Sequence, residues 1–89
     1  MTDQSQRQIH VTVKNKQEII FDDFAKAVSS FNEQGVFDIL PMHENFISII
    51  KNVLIIHKKT GDKYEIKVTD GVLKAYENNI NIYIGPGNK

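Results

Sequence analysis

The sequence predicts an all-β domain: an antiparallel β-sandwich or flattened barrel of about 8–10 short strands. Two observations carry that prediction. Three segments alternate strictly between apolar and polar residues, Ile9–Val13, Tyr64–Thr69 and Asn79–Ile84. Turn signals then recur at Thr60-Gly61-Asp62, Asp70-Gly71 and Asn78-Asn79, at roughly the eight- to twelve-residue spacing of sandwiches and barrels.

Composition agrees with a single small domain. The chain has 89 residues, 40% hydrophobic and 25% charged, with no cysteine. A disulfide framework and thiolate metal sites are therefore excluded. The formal net charge is +0, so no basic field draws in nucleic acid or anionic lipid. The longest branched apolar run, Val53-Leu54-Ile55-Ile56, suits a buried strand and falls far short of the roughly 18 residues that cross a bilayer. Direct membrane insertion is not expected. Residues 1–8 are polar and read as a flexible leader, residues 9–84 as the folded domain, and residues 85–89 as a flexible tail.

Along the chain, Ile9, Val11 and Val13 form the inward face of the first strand. From Gln17 to Phe31 the apolar residues Ile20, Phe24, Ala27, Val28 and Phe31 also fit the stripe of an amphipathic helix, with Gly35 as its terminator. The competing reading is two strands, Glu18–Asp22 and Ala25–Phe31, broken at Asp22-Asp23. Ser29-Ser30 are indifferent helix formers and fit the strands. Within Phe31–His43 an acidic turn, a short strand and a Pro-terminated loop carrying His43 follow. Phe46–Ile50 is too β-branched for the short helix that Glu44–Lys51 could form, and reads as a strand. Val53–Lys59 and Lys63–Thr69 form a hairpin. Asp70-Gly71, which favours positive φ, separates Lys63–Thr69 from Val72–Glu77. Asn78-Asn79 turns the chain into a last strand with Ile80, Ile82 and Ile84 inward. The predicted core is Ile9, Val11, Val13, Phe37, Ile39, Leu54, Ile56, Ile66, Val68, Ile80 and Ile82.

No residue cluster announces chemistry. His10, His43 and His57 lie on separate elements with no metal-ligand spacing. His10 and His57 read as outward strand residues. Asp22 and Asp23 are adjacent, so on a strand they point to opposite faces and do not converge as an acid–base pair. The serines at 29, 30 and 48 lack a nucleophile-elbow context. Gly85-Pro86-Gly87 lacks the Lys-Ser/Thr and helix of a phosphate loop. Lys51, Lys58 and Lys59 read as a solvated basic stripe.

The run Glu33-Gln34-Gly35-Val36-Phe37-Asp38-Ile39-Leu40-Pro41-Met42-His43 resembles the "EGxFGILPGHAP" segment near the start of the epsilon subunit of rotary ATP synthases (delta in mitochondria). Asp70–Ala75 is similar to that family's "GGFLEV", and Asn78–Ile82 to its "NNVVTV". Order and spacing over roughly seventy residues carry the resemblance more than any one motif. Asp23, Asp38 and Met42 stand where the family has glycine, and Glu44-Asn45 where it has "AP". Lys51-Asn52 replaces "KPG", so the turn there is rebuilt.

The resemblance implies the epsilon-type N-terminal β-sandwich without the C-terminal helical hairpin, since Gly85–Lys89 is a poor helix. It implies a non-catalytic central-stalk module that couples the gamma subunit to the c ring, with no cofactor. The protein would be cytoplasmic and peripheral to the inner face of the cell membrane when assembled. The c-ring-facing residues would be Glu33, Gln34, Gly35, Val36, Pro41, Met42, His43 and Glu44. The changed glycines also leave room for a stand-alone binding module that kept the fold and left the motor. Neighbouring beta or gamma genes would discriminate the two. A small enzyme would require a deep polar pocket holding His43 and a carboxylate.

Overall fold

Seven strands build the molecule over residues 8–85, the portion that the computed structural model describes. They are β1 (Ile9–Lys14), β2 (Ile19–Ala25), β3 (Ala27–Asn32), β4 (Gly35–Ile39), β5 (Phe46–His57), β6 (Lys63–Tyr76) and β7 (Asn79–Ile84). No helix occurs among the described residues. Apart from Gln8 and Gly85, the expected leader and tail lie outside them.

The strands hydrogen-bond as one continuous sheet in the order β2-β1-β7-β6-β5-β3-β4. Five of the six pairings are antiparallel and one, β1 with β7, is parallel. The first and last strands sit side by side and run the same way, which corrects a wholly antiparallel expectation. Because β2 and β4 remain edges, the sheet is an open sandwich and does not close into a barrel.

The two long strands make one sheet serve as two layers. The first half of β5 (46–50) pairs with the second half of β6 (71–75), and β6 continues to β7, β1 and β2. The second half of β5 pairs with the first half of β6 on one side and with β3 on the other. Ring contacts show the sheet folded over. Phe21 on β2 stacks on Tyr64 of β6 at 5.7 Å, although β1 and β7 separate those strands in the sheet. Phe37 on β4 meets Phe46 on β5 at 5.3 Å, across β3.

This explains why seven strands stand where eight to ten were expected. Lys51-Asn52 and Asp70-Gly71 read as breaks in sequence, but the chain passes through both without turning back. The register shifts between Ile50 and Asn52, and β6 contributes an extra residue there. Inward positions on β6 consequently change from Tyr64, Ile66 and Val68 to Gly71, Leu73 and Ala75, with Thr69 and Asp70 both exposed. This is a β-bulge, which bends a strand strongly enough to carry it between layers. Asn52 absorbs the distortion at φ 74. Gly71 does not take a positive φ; it is needed for space, because a Cβ there would sit 2.7 Å from the Tyr83 carbonyl oxygen.

The Gln17–Phe31 segment is β2 and β3, and the helical alternative fails. Phe24, on the helical stripe, is 44% exposed, while Ala25 and Val28 are fully buried. The break lies at Lys26 and not at Asp22-Asp23, which remain extended in β2. There the chain crosses from one layer to the other, and the Lys26 amide donates to the His57 carbonyl at 2.8 Å. Asn15 closes the β1–β2 turn by accepting from the amides of Gln17 and Glu18 at 2.8 and 2.9 Å.

Nine of the predicted core residues are buried, and Phe37 and Ile66 pack half-buried against them. Ile50, Leu73, Ala75, Val28, Ala25 and Ile84 complete the core. The buried Ser30 is satisfied by donating to the Val53 carbonyl at 2.8 Å.

Candidate docking surface

The β3–β4 turn is local in origin. Asn32 Oδ1 accepts from the Gln34 amide at 2.8 Å, and Gly35 takes φ 120, which a side chain would resist. Glu33, Gln34 and Gly35 are exposed, and Val36 follows at 66% exposure. Asn32 Nδ2 also donates to Ser48 Oγ at 3.1 Å, tying the turn to β5.

The Pro41–Glu44 loop is held differently. Pro41 lies just past β4, where its missing N–H forgoes no ladder bond. The His43 amide donates to the Leu40 carbonyl at 3.1 Å, and Met42 takes φ 68. The loop is fastened to the β6–β7 turn by two reciprocal bonds. The Met42 amide donates to Asn78 Oδ1 at 2.8 Å, and the Glu77 amide donates to Asn45 Oδ1 at 3.0 Å. His43 Nδ1 donates to the Glu44 carbonyl at 2.7 Å, and its ring lies edge-on to Phe46 at 5.8 Å. His43 is therefore half-buried and oriented.

The two groups of candidate residues do not merge into one loop cluster. Gly35 pairs with Asn32 and Ile39 with Val28, so the groups lie at opposite ends of β4, about 13 Å apart along the strand. Glu33 and Gln34 border a shallow hollow of about 520 Å³ with Phe46–Ile49 and Lys51. Met42, His43 and Glu44 border another of about 370 Å³ with Asn45, Glu77 and Asn78.

The other residues singled out in sequence acquire partners. His10 Nε2 lies 2.7 Å from Asp22 Oδ1, with its ring 5.0 Å from Phe24. Asp23 accepts from the Phe24 amide at 2.7 Å, so the two aspartates diverge. Lys58 and Lys59 lie over the rings of Tyr64 and Phe24, 5.6 and 5.9 Å from the ring centres. Among the described residues, no three His, Cys, Asp or Glu side chains are grouped to hold a metal. No helix among them is long and apolar enough to cross a membrane.

Sequence reading missed the broad outer face of the β2-β1-β7-β6-β5 layer. Ile49, Val72, Tyr83, Lys14 and Ile19 are successive cross-strand neighbours there. Ile49 is 72% exposed, and Ile47, Ile19 and Tyr83 each exceed half. Lys14 lays its ammonium over the Tyr83 ring, 5.1 Å from the ring centre, so the row carries one positive charge among its apolar side chains. The signal was present in Phe46-Ile47-Ser48-Ile49-Ile50, which is apolar on both faces of a strand with one buried face.

The molecule is thus an all-β domain with an apolar row across one outer face, the kind of patch that marks protein, membrane or ligand contacts. Residues 8–85 match the model of the ATP synthase, Delta/Epsilon chain, beta-sandwich domain, and the chain belongs to that family. An ATP synthase epsilon chain from Sulfurovum sp. (strain NBC37-1) is 32% identical over 60 residues, 66% of this chain and 47% of that one. The fold is shared with a chain of the Euglena gracilis mitochondrial ATP synthase, solved with OSCP, F1 and c-ring. Its TM-score is 0.82 at 18% identity, over 88% of this chain and 51% of that one. A chain of the Tetrahymena thermophila mitochondrial ATP synthase central stalk and c-ring gives TM-score 0.71 at 13% identity, over 91% and 66%. The chain thus spans about half the length of the curated relative it matches.

Proposed function

We propose that this chain is a non-catalytic central-stalk module of a rotary proton-translocating ATP synthase, joining the gamma subunit to the c ring. Family membership supports the motor. The observation that carries the division of labour is the distribution of exposed apolar side chains. Ile19, Phe24, Ile47, Ile49, Val72, Tyr76 and Tyr83 lie on the outer face of one layer, and Val36, Leu40 and Met42 lie on β4 and the loop after it. We assign the broad face to gamma, because torque transfer without slip requires a wide, rigid contact. We assign Glu33–Val36 and Pro41–Glu44, at opposite ends of β4, to two separate contacts with the c ring.

The mechanism is mechanical. Strands anchored on both sides by hydrogen-bonded neighbours deform little, so rotation of one partner is passed to the other. The test is co-purification with gamma from the same organism. A complex at micromolar concentration is expected, and none would overturn the reading in favour of a stand-alone module. A gene neighbourhood holding other ATP synthase subunits supports the motor.

A further inference from the structure

Ser29 on β3 sits between two strands and two titratable side chains. Its hydroxyl donates to Asp38 Oδ1 on β4, and its oxygen lies 2.8 Å from His57 Nε2 on β5. A hydroxyl has one proton. With that proton directed to Asp38, the oxygen must accept from His57, so Nε2 carries the hydrogen. Ser29 is only 7% exposed, so water competes poorly for these bonds. The order is not that of a hydrolytic triad: histidine donates to serine here and does not accept its proton.

We propose that Asp38–Ser29–His57 is a positioning relay that holds His57 in its Nε2–H tautomer and pins edge strand β4 to the interior of the sheet. β4 has backbone bonds to β3 alone, so the relay reaches past its one strand neighbour to β5. The charged neighbours are Lys63, directly opposite His57 on β6, Glu65 opposite Ile55, and Lys26 beside Ala27. None of them hydrogen-bonds to the Ser29 hydroxyl, whose partners are Asp38 and His57. In the stalk reading above, on which this consequence rests, the relay sets how Val36 and the Pro41–Glu44 loop are presented.

The test is long-range proton–nitrogen correlation of the His57 ring in the ¹⁵N-labelled full chain near neutral pH, with amide exchange along β4. Nε2 is expected to read as the protonated nitrogen. In D38A, at an exposed position, the Ser29 proton is freed to turn toward His57, and the Nδ1–H form gains. In S29A the Nε2–H share falls back to that of a free histidine ring, which already favours this form modestly, and β4 amides exchange about fivefold to tenfold faster. S29T restores the hydroxyl and with it the tautomer. Nδ1–H in the native chain, or a tautomer unmoved by both D38A and S29A, overturns the relay. Lost c-ring binding with the tautomer intact would count against the stalk reading alone.

Discussion

Met42 stands at φ 68, and its amide is fastened to Asn78 Oδ1 at 2.8 Å, 36 residues further along the chain. Three positions where the resembling family has glycine carry side chains here: Asp23, Asp38 and Met42. Only Met42 takes a positive φ; Asp23 and Asp38 lie in extended strands. A left-handed backbone is thus required at one of the three positions, and the Asn78 bond holds the loop where methionine resists it.

Met42→Gly should therefore stabilise the domain. Left-handed strain of about 1–2 kcal/mol is relieved, against roughly 0.5–1 kcal/mol for glycine's added freedom when unfolded. A net gain of about 0.5–1 kcal/mol is expected in urea denaturation. Asn78→Ala should lower stability by about 1 kcal/mol, because the Met42 amide loses its acceptor.

Asn52 makes a similar case inside a strand. It holds φ 74 at the register shift of β5. Asn52→Gly should be neutral or mildly stabilising. Asn52→Val, which favours ordinary strands, should cost about 1–2 kcal/mol here because a β-branched side chain resists that φ. Thermal melts of the two variants give the order, and equal effects would refute the backbone explanation.

Gly71 is constrained by contact, not by φ. Gly71→Ala would place its Cβ 2.7 Å from the Tyr83 carbonyl oxygen and press on Ile50. A loss of about 1–3 kcal/mol is expected from such overpacking. Proton shifts at Tyr83 and Ile84 would locate the strain where β6 and β7 approach.

The two proposed docking regions can be separated. Ile49→Asp and Val72→Asp, on exposed positions of the broad face, should leave stability within about 0.5 kcal/mol and weaken gamma binding more than tenfold. Val36→Asp should leave gamma binding unchanged and weaken the c-ring contact. Titration of each variant against the isolated partners checks the assignment, and loss of gamma binding in Val36→Asp would reverse it.

The inner faces of β1 and β7 were legible because alternation has a period of two and one face meets the core: Ile9, Val11, Val13, Ile80 and Ile82 are all buried. The Thr60-Gly61-Asp62 hairpin was legible because Gly61 takes φ 98 and the turn closes through Lys58 and Asp62. Asp70-Gly71 misled because a bulge and a turn use the same residues, and only the neighbouring strand distinguishes them.

Sequence alone determined that the chain is β, which residues alternate inward, and where most of the chain reversals fall. These follow from the local geometry of the backbone and the period of its side chains. Tertiary structure alone decided that two long strands cross between layers, that the apolar row Ile49–Val72–Tyr83 lines up on one face, and that Ser29 meets Asp38 and His57 from 9 and 28 residues away. Such meetings depend on strand order and register, which short-range patterns do not encode.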